Sequence, residues 1–101
     1  MVALAPSSGT DWTDEERAHL GRIESLCHST EHWEMECLHT EAGDPWCIIY
    51  DRHAHVVVLH LARIDRRYVI VWPEQRRSIN RATMEAAIDA ALGELVVRGA
   101  A

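Results

Sequence analysis

Residues 53–72, HAHVVVLHLARIDRRYVIVW, decide the fold of this chain. Two apolar runs flank Asp65-Arg66, which stands where a two-residue hairpin turn belongs. The composition of these runs predicts one strand over about 55–64 and another over about 67–72. This stretch therefore predicts an antiparallel β-hairpin.

The segment before the hairpin predicts a helix and two further strands. Thr13 and Glu16 have the spacing of a capping box, and apolar residues at helical spacing follow them, so we expect a helix over about 13–28. The stretch HWEMECLHT, 32–40, alternates apolar and charged residues as a half-buried strand does. After a Gly-Asp-Pro turn, WCIIY, 46–50, predicts a short apolar strand.

The stretch SINRATMEAAIDAALGELVVRG, 78–99, predicts a second helix from its apolar stripe. Ser78 or Asn80 is its expected cap, and Gly99 is its expected stop. The order is then α-β-β-β-β-α, and short connections between consecutive strands favour an antiparallel meander. We expect an α+β fold in which this four-stranded meander carries both helices on one sheet face.

Length and composition fit one small domain. The chain has 101 residues, of which 48% are hydrophobic and 26% are charged, which is enough for one modest core. Residues 1–11 contain Pro, Ser and Gly and predict a flexible tail, so the expected domain covers 12–101. Three cysteines without a CxxC pair are typical of reduced thiols, and no signal peptide or membrane-spanning run is evident. We expect a cytoplasmic protein that does not bind membranes.

Charge is unevenly distributed along the chain. Residues 1–51 hold eleven acidic residues and two arginines, whereas 52–101 hold five acidic residues and eight arginines. The two halves therefore carry −9 and +3, and the whole chain −6. This asymmetry indicates surfaces of opposite potential. The overall acidity argues against general binding of nucleic acid.

Six arginines in the second half form the predicted partner- or anion-binding site. They cluster at the hairpin turn and at the expected start of the last helix: Arg63, Arg66, Arg67, Arg76, Arg77 and Arg81. A helix N-terminus attracts anions, and arginine pairs well with carboxylates. A solvated basic face, a protein partner's acidic surface, and a phosphate or nucleic-acid ligand all remain open at this point.

The histidines offer an alternative metal site. His53 and His55 stand at i and i+2 and share a face, and His39 could supply a third ligand, whereas His60 falls on the opposite face from His55 in a regular strand. Zinc needs three or four converging ligands. We therefore favour half-exposed sheet histidines, able to make the fold sensitive to pH, and we expect no metal or cofactor.

The stretch GDPWCIIYDRHAHVVVLHLARIDRRYVIVW resembles a set of small uncharacterised proteins of alphaproteobacteria. Their pattern is a Gly-Asp-Pro-Trp entry, an apolar strand, a turn, a strand that ends in Ala-Arg-Ile-Asp, and a strand led by an aromatic residue. The matching residues here are Gly43, Asp44, Pro45, Trp46, His60, Ala62, Arg63, Ile64, Asp65 and Tyr68. The resemblance covers about thirty residues and implies a fold element without an activity. Similar sequences tend to have Gly where this chain has Arg66, so a left-handed turn residue there would be mildly strained.

Catalytic motifs are missing from the sequence: there is no GxSxG, no HExxH and no phosphate-binding glycine loop. Cys37 and Cys47 are interpreted as small buried apolar residues. Tryptophan is enriched at binding hot spots, and the chain has four of them: Trp12, Trp33, Trp46 and Trp72. The leading hypothesis is a protein-interaction module, such as a regulator, an adaptor or an immunity-type protein, that binds another protein or a second copy of itself. A metal-binding protein and a nucleic-acid-binding regulator are the alternatives.

Overall fold

The structure, a computed structural model, describes residues 11–100, and within them the fold is α+β. Helix α1 spans Asp14–Ser29 and helix α2 spans Met84–Ala100. The strands between them are β1 (Trp33–His39), β2 (Pro45–Asp51), β3 (Val56–Ile64), β4 (Arg67–Trp72) and β5 (Arg77–Arg81). The predicted tail, apart from Asp11, lies outside the described residues. Neither described helix is both long and apolar enough to cross a membrane.

The strands form one antiparallel sheet in the order β1-β2-β3-β4-β5, so the predicted meander is confirmed. Alternate residues of each strand point toward the two helices, and we call that side of the sheet the helix face. Its central row runs across all the described strands: Cys37, Cys47, Leu61, Ile70 and Ile79. Against it pack Ile23 of α1 and Ile88 and Leu95 of α2, each 0% exposed. The helices also touch each other, since Arg22 donates to Asp89 at 2.6 Å.

The first helix begins as the sequence predicts. The hydroxyl of Thr13 accepts from the backbone N–H of Glu16 at 3.1 Å, and the Glu16 carboxylate accepts from the backbone N–H of Thr13 at 2.8 Å. This reciprocal pair satisfies two N–H groups that the first turn leaves without partners. The capping box is therefore confirmed.

The expected count of four strands is wrong, because Arg77–Arg81 forms a fifth strand in the described chain. This stretch, RSINR, has one apolar residue, Ile79, which pairs with Ile70 on the helix face. An edge strand that buries one side chain shows almost no alternation of apolar and polar residues. Its Ser and Asn therefore resemble the caps of a following helix.

The second helix accordingly starts later than predicted. It begins at Met84, and Thr83 caps it by accepting from the backbone N–H of Ala86 at 3.1 Å. Ser78 and Asn80 are strand residues and cap nothing. Gly99 lies inside the helix and does not stop it.

The turns on either side of β3 contain residues with positive φ. In the β3–β4 turn, Asp65 has φ 51° and Arg66 has φ 65°, the left-handed pair that a type I′ turn requires. In the β2–β3 turn, His55 has φ 58° and precedes the strand, so the predicted alternation that included His55 is wrong at that residue. The pairing of β2 with β3 also skips Val58, which interrupts the alternation until Leu59.

Candidate interaction surface

The sheet side opposite the helices carries an apolar surface that no described element covers. Two rows of side chains cross it strand by strand, and we call this side the open face. One row is Glu36, Ile48, His60, Val71 and Ser78, and the other is Leu38, Trp46, Ala62, Val69 and Asn80. The central members of both rows are apolar or aromatic, and they remain half-buried or exposed.

The open face is most aromatic where β2 and β3 meet. The rings of Trp46 and His60 stack with centroids 5.7 Å apart and planes 10° apart. Beside them lies an open groove of about 610 Å³, lined by Pro45, Ile64 and Val71 among others. Ile64 is 53% exposed and Val71 is 36% exposed. Such a groove, with apolar walls and a stacked aromatic pair, fits another apolar surface.

The two sides of the open face carry opposite charge. Glu34 and Glu36 project from β1, at one side of the sheet, and Glu34 lies 3.5 Å from Arg52. Arg67 projects from β4, where its guanidinium donates to the side-chain oxygen of Asn80 on β5. The open face therefore carries carboxylates on β1 and an arginine at the start of β4.

Two of the six predicted site arginines lie on the helix face in internal contacts. Arg63 lies 2.5 Å from Glu16 of α1, and both side chains are largely buried. Arg77 stacks over the ring of Trp72, with its central carbon 4.2 Å from the ring centroid, and lies 3.3 Å from Glu94 of α2. These contacts give Arg63 and Arg77 a role in holding the helices to the sheet.

The other four arginines lie along the β4–β5 side of the sheet. Arg66 is in the β3–β4 turn, Arg67 begins β4, Arg76 precedes β5 with φ 50°, and Arg81 ends β5. Helix α2 begins at Met84, so its N-terminus adjoins Arg81 but not Arg76 or Arg77, which lie at the far end of β5. Three of the four arginines lie at one end of β4 and β5, because Tyr68 pairs with Arg81, whereas Arg76 lies at the other end, and we call this side of the sheet the basic sheet edge.

The histidines of the alternative metal site do not converge. His39 ends β1 and lies 2.9 Å from Asp11, whereas His53 and His55 lie in the β2–β3 turn, which adjoins the start of β1. The length of a seven-residue strand, roughly 20 Å, separates the two places. Within residues 11–100, no group of three or more His, Cys, Asp or Glu residues could hold a metal ion.

A buried polar network connects α1 to the sheet on the helix face. Glu16, 5% exposed, accepts from the Tyr68 hydroxyl at 2.6 Å and from Arg63. Burial alone would raise the pKa of Glu16, but the hydrogen bonds from Tyr68, the Thr13 backbone and Arg63 hold it below its ordinary value. Burial and the same carboxylate raise the pKa of Tyr68 to about 12. The network is complete within the domain and points to stability rather than to binding.

The tryptophans divide between the two faces. Trp12, Trp33 and Trp72 are 5%, 3% and 1% exposed and belong to the core, whereas Trp46 lies on the open face. Trp46 is therefore the tryptophan available as an interface anchor.

Sequence reasoning missed two features that the register of the first hairpin brings together. The open-face groove was not predicted, although WCIIY is apolar at consecutive positions, a pattern typical of a strand covered on both faces. The cysteines were treated separately, yet Cys37 and Cys47 lie directly opposite each other with sulfurs 3.0 Å apart. Each cysteine stands five residues from Ala42, the centre of the turn between β1 and β2. This equal spacing is the sequence signal that predicts their pairing. Cys37 is exposed, so its interpretation as a buried residue is wrong, whereas Cys47 is buried.

Comparison of the chain with family models, with curated proteins and with solved structures finds no match. In the structure, the Gly-Asp-Pro-Trp stretch leads into β2 and the Ala-Arg-Ile-Asp stretch ends β3. The resemblance noted from the sequence therefore rests on the β2–β4 region alone.

Proposed function

We propose that this chain is a small cytoplasmic protein-interaction module that works through its open face, and that the open face binds a second copy of the chain. The observation that carries the proposal is the uncovered apolar centre of that face, where Trp46 stacks on His60 beside Val71. Contiguous apolar surface of this kind is unusual on monomeric proteins and marks interaction sites.

The distribution of charge supports a second copy as the occupant. A two-fold axis parallel to the strands would place β1 of one copy over β5 of the other and β3 over β3. The glutamates of each copy, Glu34 and Glu36, would then face the β4–β5 side of its partner near Arg76, because the row of Glu36 ends at Ser78, next to the turn that holds Arg76. An axis across the strands would instead place glutamates over glutamates. Charge complementarity therefore favours one closed, face-to-face dimer.

The size of the face is sufficient for such a dimer. Five strands about 4.8 Å apart and roughly 20 Å long present about 500 Å² in projection, so that two copies bury at least about 1,000 Å², the lower limit for specific interfaces. Two packed sheets align within about 30° of each other, with side chains interlocking between them. We expect Trp46 to act as the central anchor and the charged strands to form the rim.

The proposal is tested by light scattering over a concentration series of the wild-type chain and two matched variants. Val71→Asp places a charge in the centre of the open face, and Val97→Asp places one on α2 at a position that is already 69% exposed. We expect dimerisation in the wild type, an unchanged dissociation constant in Val97→Asp, and at least about tenfold weakening in Val71→Asp, since each tenfold corresponds to about 1.4 kcal/mol. A monomeric wild type, or equal behaviour of the two variants, would reject the proposal.

A charge-reversal series separates the rim from the apolar centre. Glu34→Arg with Glu36→Arg should weaken the dimer, because both sides of each face then become basic. Adding Arg76→Glu should restore part of the affinity, because Arg76 lies level with the two glutamates along the strands. If the added change weakens the dimer further, the strand-parallel arrangement is wrong.

The basic sheet edge also bears on the nucleic-acid alternative. A nucleic-acid complex would weaken steeply as salt rises, because it releases counterions from many phosphates. An interface with an apolar centre would lose only the contribution of its charged rim. Titration of the chain with duplex DNA and RNA at low and moderate salt distinguishes the two.

A further inference from the structure

A pair of cysteines on the neighbouring strands β1 and β2 lies in a geometry suited to bond formation. Cys37 of β1 and Cys47 of β2 occupy opposite positions in the antiparallel register, and their sulfurs are 3.0 Å apart. Residues that face each other in this way have Cα atoms about 4.5 or about 5.5 Å apart, and both values lie within the range that disulfides span. A movement of about 1 Å between the sulfurs would reach bonding distance. The backbone therefore needs no rearrangement.

The two cysteines differ in their access to solvent. Cys37 is exposed and opens into a cavity of about 260 Å³, whose walls include Leu20 and Met35. Cys47 is 0% exposed and lies beneath it. A small molecule can therefore reach the sulfur of Cys37 first, and Cys47 is placed to react with whatever forms there.

The surroundings shift the pKa values of the two thiols in opposite directions. The pKa of Cys37 is lowered to about 7, mainly by the hydrogen bond with Cys47 and also by His39, against the opposing effects of burial and of the carboxylates of Glu24 and Asp11. The same hydrogen bond and burial raise the pKa of Cys47. Cys37 is therefore the member of the pair that more readily becomes a thiolate, the form that reacts with oxidants, and Cys47 is the donor of the bond.

The indole N–H of Trp12 adds a polar group beside the pair. Its Nε1 is buried and has no hydrogen-bond acceptor among the described residues. It lies near enough to the Cys47 sulfur to favour a negative charge there. Trp12 therefore supplies a donor for charge that develops on Cys47 when its proton leaves.

We propose that Cys37 and Cys47 form a peroxide-responsive thiol pair, in which hydrogen peroxide oxidises Cys37 and Cys47 resolves the product to an intramolecular disulfide. In the first step, the Cys37 thiolate attacks one peroxide oxygen, the O–O bond breaks, and the released hydroxide takes up a proton to leave as water. Cys37 is then a sulfenic acid. In the second step, the Cys47 sulfur attacks the Cys37 sulfur, the S–O bond breaks, and the hydroxide leaves as water with the proton of Cys47. Two thiols and one peroxide give one disulfide and two waters, and a dithiol reductant reverses the change.

Mass spectrometry of the full chain treated with hydrogen peroxide tests this proposal, and the third cysteine provides an internal control. Cys27 is buried, and burial raises the pKa of its thiol. We expect the treated chain to lose two hydrogen atoms, peptide mapping to join Cys37 to Cys47, and Cys27 to remain a thiol. Treatment with a dithiol reductant should restore the original mass.

Two variants test the order of the steps. Cys47→Ala should trap the sulfenic acid on Cys37, where dimedone labels it, because the resolving thiol is gone. Cys37→Ser, a change at an exposed position, should slow the consumption of peroxide at least about tenfold, since Cys47 lacks an accessible thiolate. Circular dichroism of both variants checks that they are folded.

Three outcomes would overturn the proposal. They are oxidation of Cys27 as fast as Cys37, a wild-type chain that forms only disulfides between copies, and a Cys37→Ser variant that reacts like the wild type. None of these readouts depends on dimerisation through the open face, so the two proposals can fail separately.

Discussion

The two faces of the sheet belong to the same strands, yet the helices cover one face and no described element covers the other. On β4, Ile70 is 0% exposed beneath the helices, whereas its neighbour Val71 on the open face is 36% exposed. On the helix face, the buried carboxylate of Glu16 also finds partners within the fold, in Tyr68 and Arg63. The helix face therefore accounts for the folding of a single copy. The open face carries exposed apolar side chains that the folding of a single copy does not require, so this face is the candidate for binding.

The largest effect that separates the faces is expected from truncating core residues. Leu61 on the helix face is 0% exposed, so Leu61→Ala should lower the free energy of unfolding by about 3–4 kcal/mol, since the cavity adds to the loss of apolar burial. Val71→Ala on the open face should cost less than about 1 kcal/mol in dilute, monomeric protein. Urea denaturation of both variants measures the difference. Equal losses would mean that the open face is part of the folding core.

The Glu16 network gives the helix face a dependence on acid. Because the pKa of Glu16 in the folded chain lies below its ordinary value of 4.5, protonation favours the unfolded state. The stability it contributes is complete above that ordinary value and is lost as pH falls through the lower pKa of the folded chain. Thermal melts from pH 6 down to about pH 3 should show this loss.

Glu16→Gln is the control for the acid experiment. This variant should have a flatter pH profile in that range, and it should already be destabilised by about 3 kcal/mol at neutral pH, because Arg63 loses a buried partner. A variant whose profile matches that of the wild type would assign the acid sensitivity to other carboxylates.

The smallest expected effect lies in the β3–β4 turn, which belongs to neither face. Arg66 has φ 65°, where a side chain is strained and glycine is not. Arg66→Gly should therefore stabilise the chain by about 1 kcal/mol. Arg81→Gly on β5 is the matched control and should not stabilise it. A fall in the melting temperature of Arg66→Gly would show that the Arg66 side chain makes a contact that outweighs the strain.

The features that sequence predicts well here are those that depend on nearby residues. The capping box of Thr13 and Glu16 spans one helical turn, and the type I′ turn at Asp65-Arg66 is set by two residues between two apolar runs. The strand RSINR was not predicted because its one apolar residue, Ile79, is partly buried only through its pairing with Ile70. The predicted start of the last helix, about residue 78, is therefore too early, because the helix begins at Met84.

The contacts that sequence could not predict join distant parts of the chain. Glu16 and Arg63 are 47 residues apart, so nothing local indicates that this arginine is buried in an ion pair rather than available to a partner. The same holds for Arg77, which is held by Glu94 of α2. The pairing of Cys37 with Cys47 is a local contact. The register of the β1–β2 hairpin alone is enough to predict it.

The strand order has a consequence for how the chain folds. Each strand pairs with its neighbour in sequence, so the sheet can form one hairpin at a time, and each closure costs little chain entropy. The docking of α1 requires far parts of the chain to meet, both against the sheet, as in the Glu16–Arg63 contact, and against α2, as in the Arg22–Asp89 contact across 67 residues. We therefore expect folding in the time range of mixed α/β domains with modest contact order, with the meander formed early and the helices closing over it last.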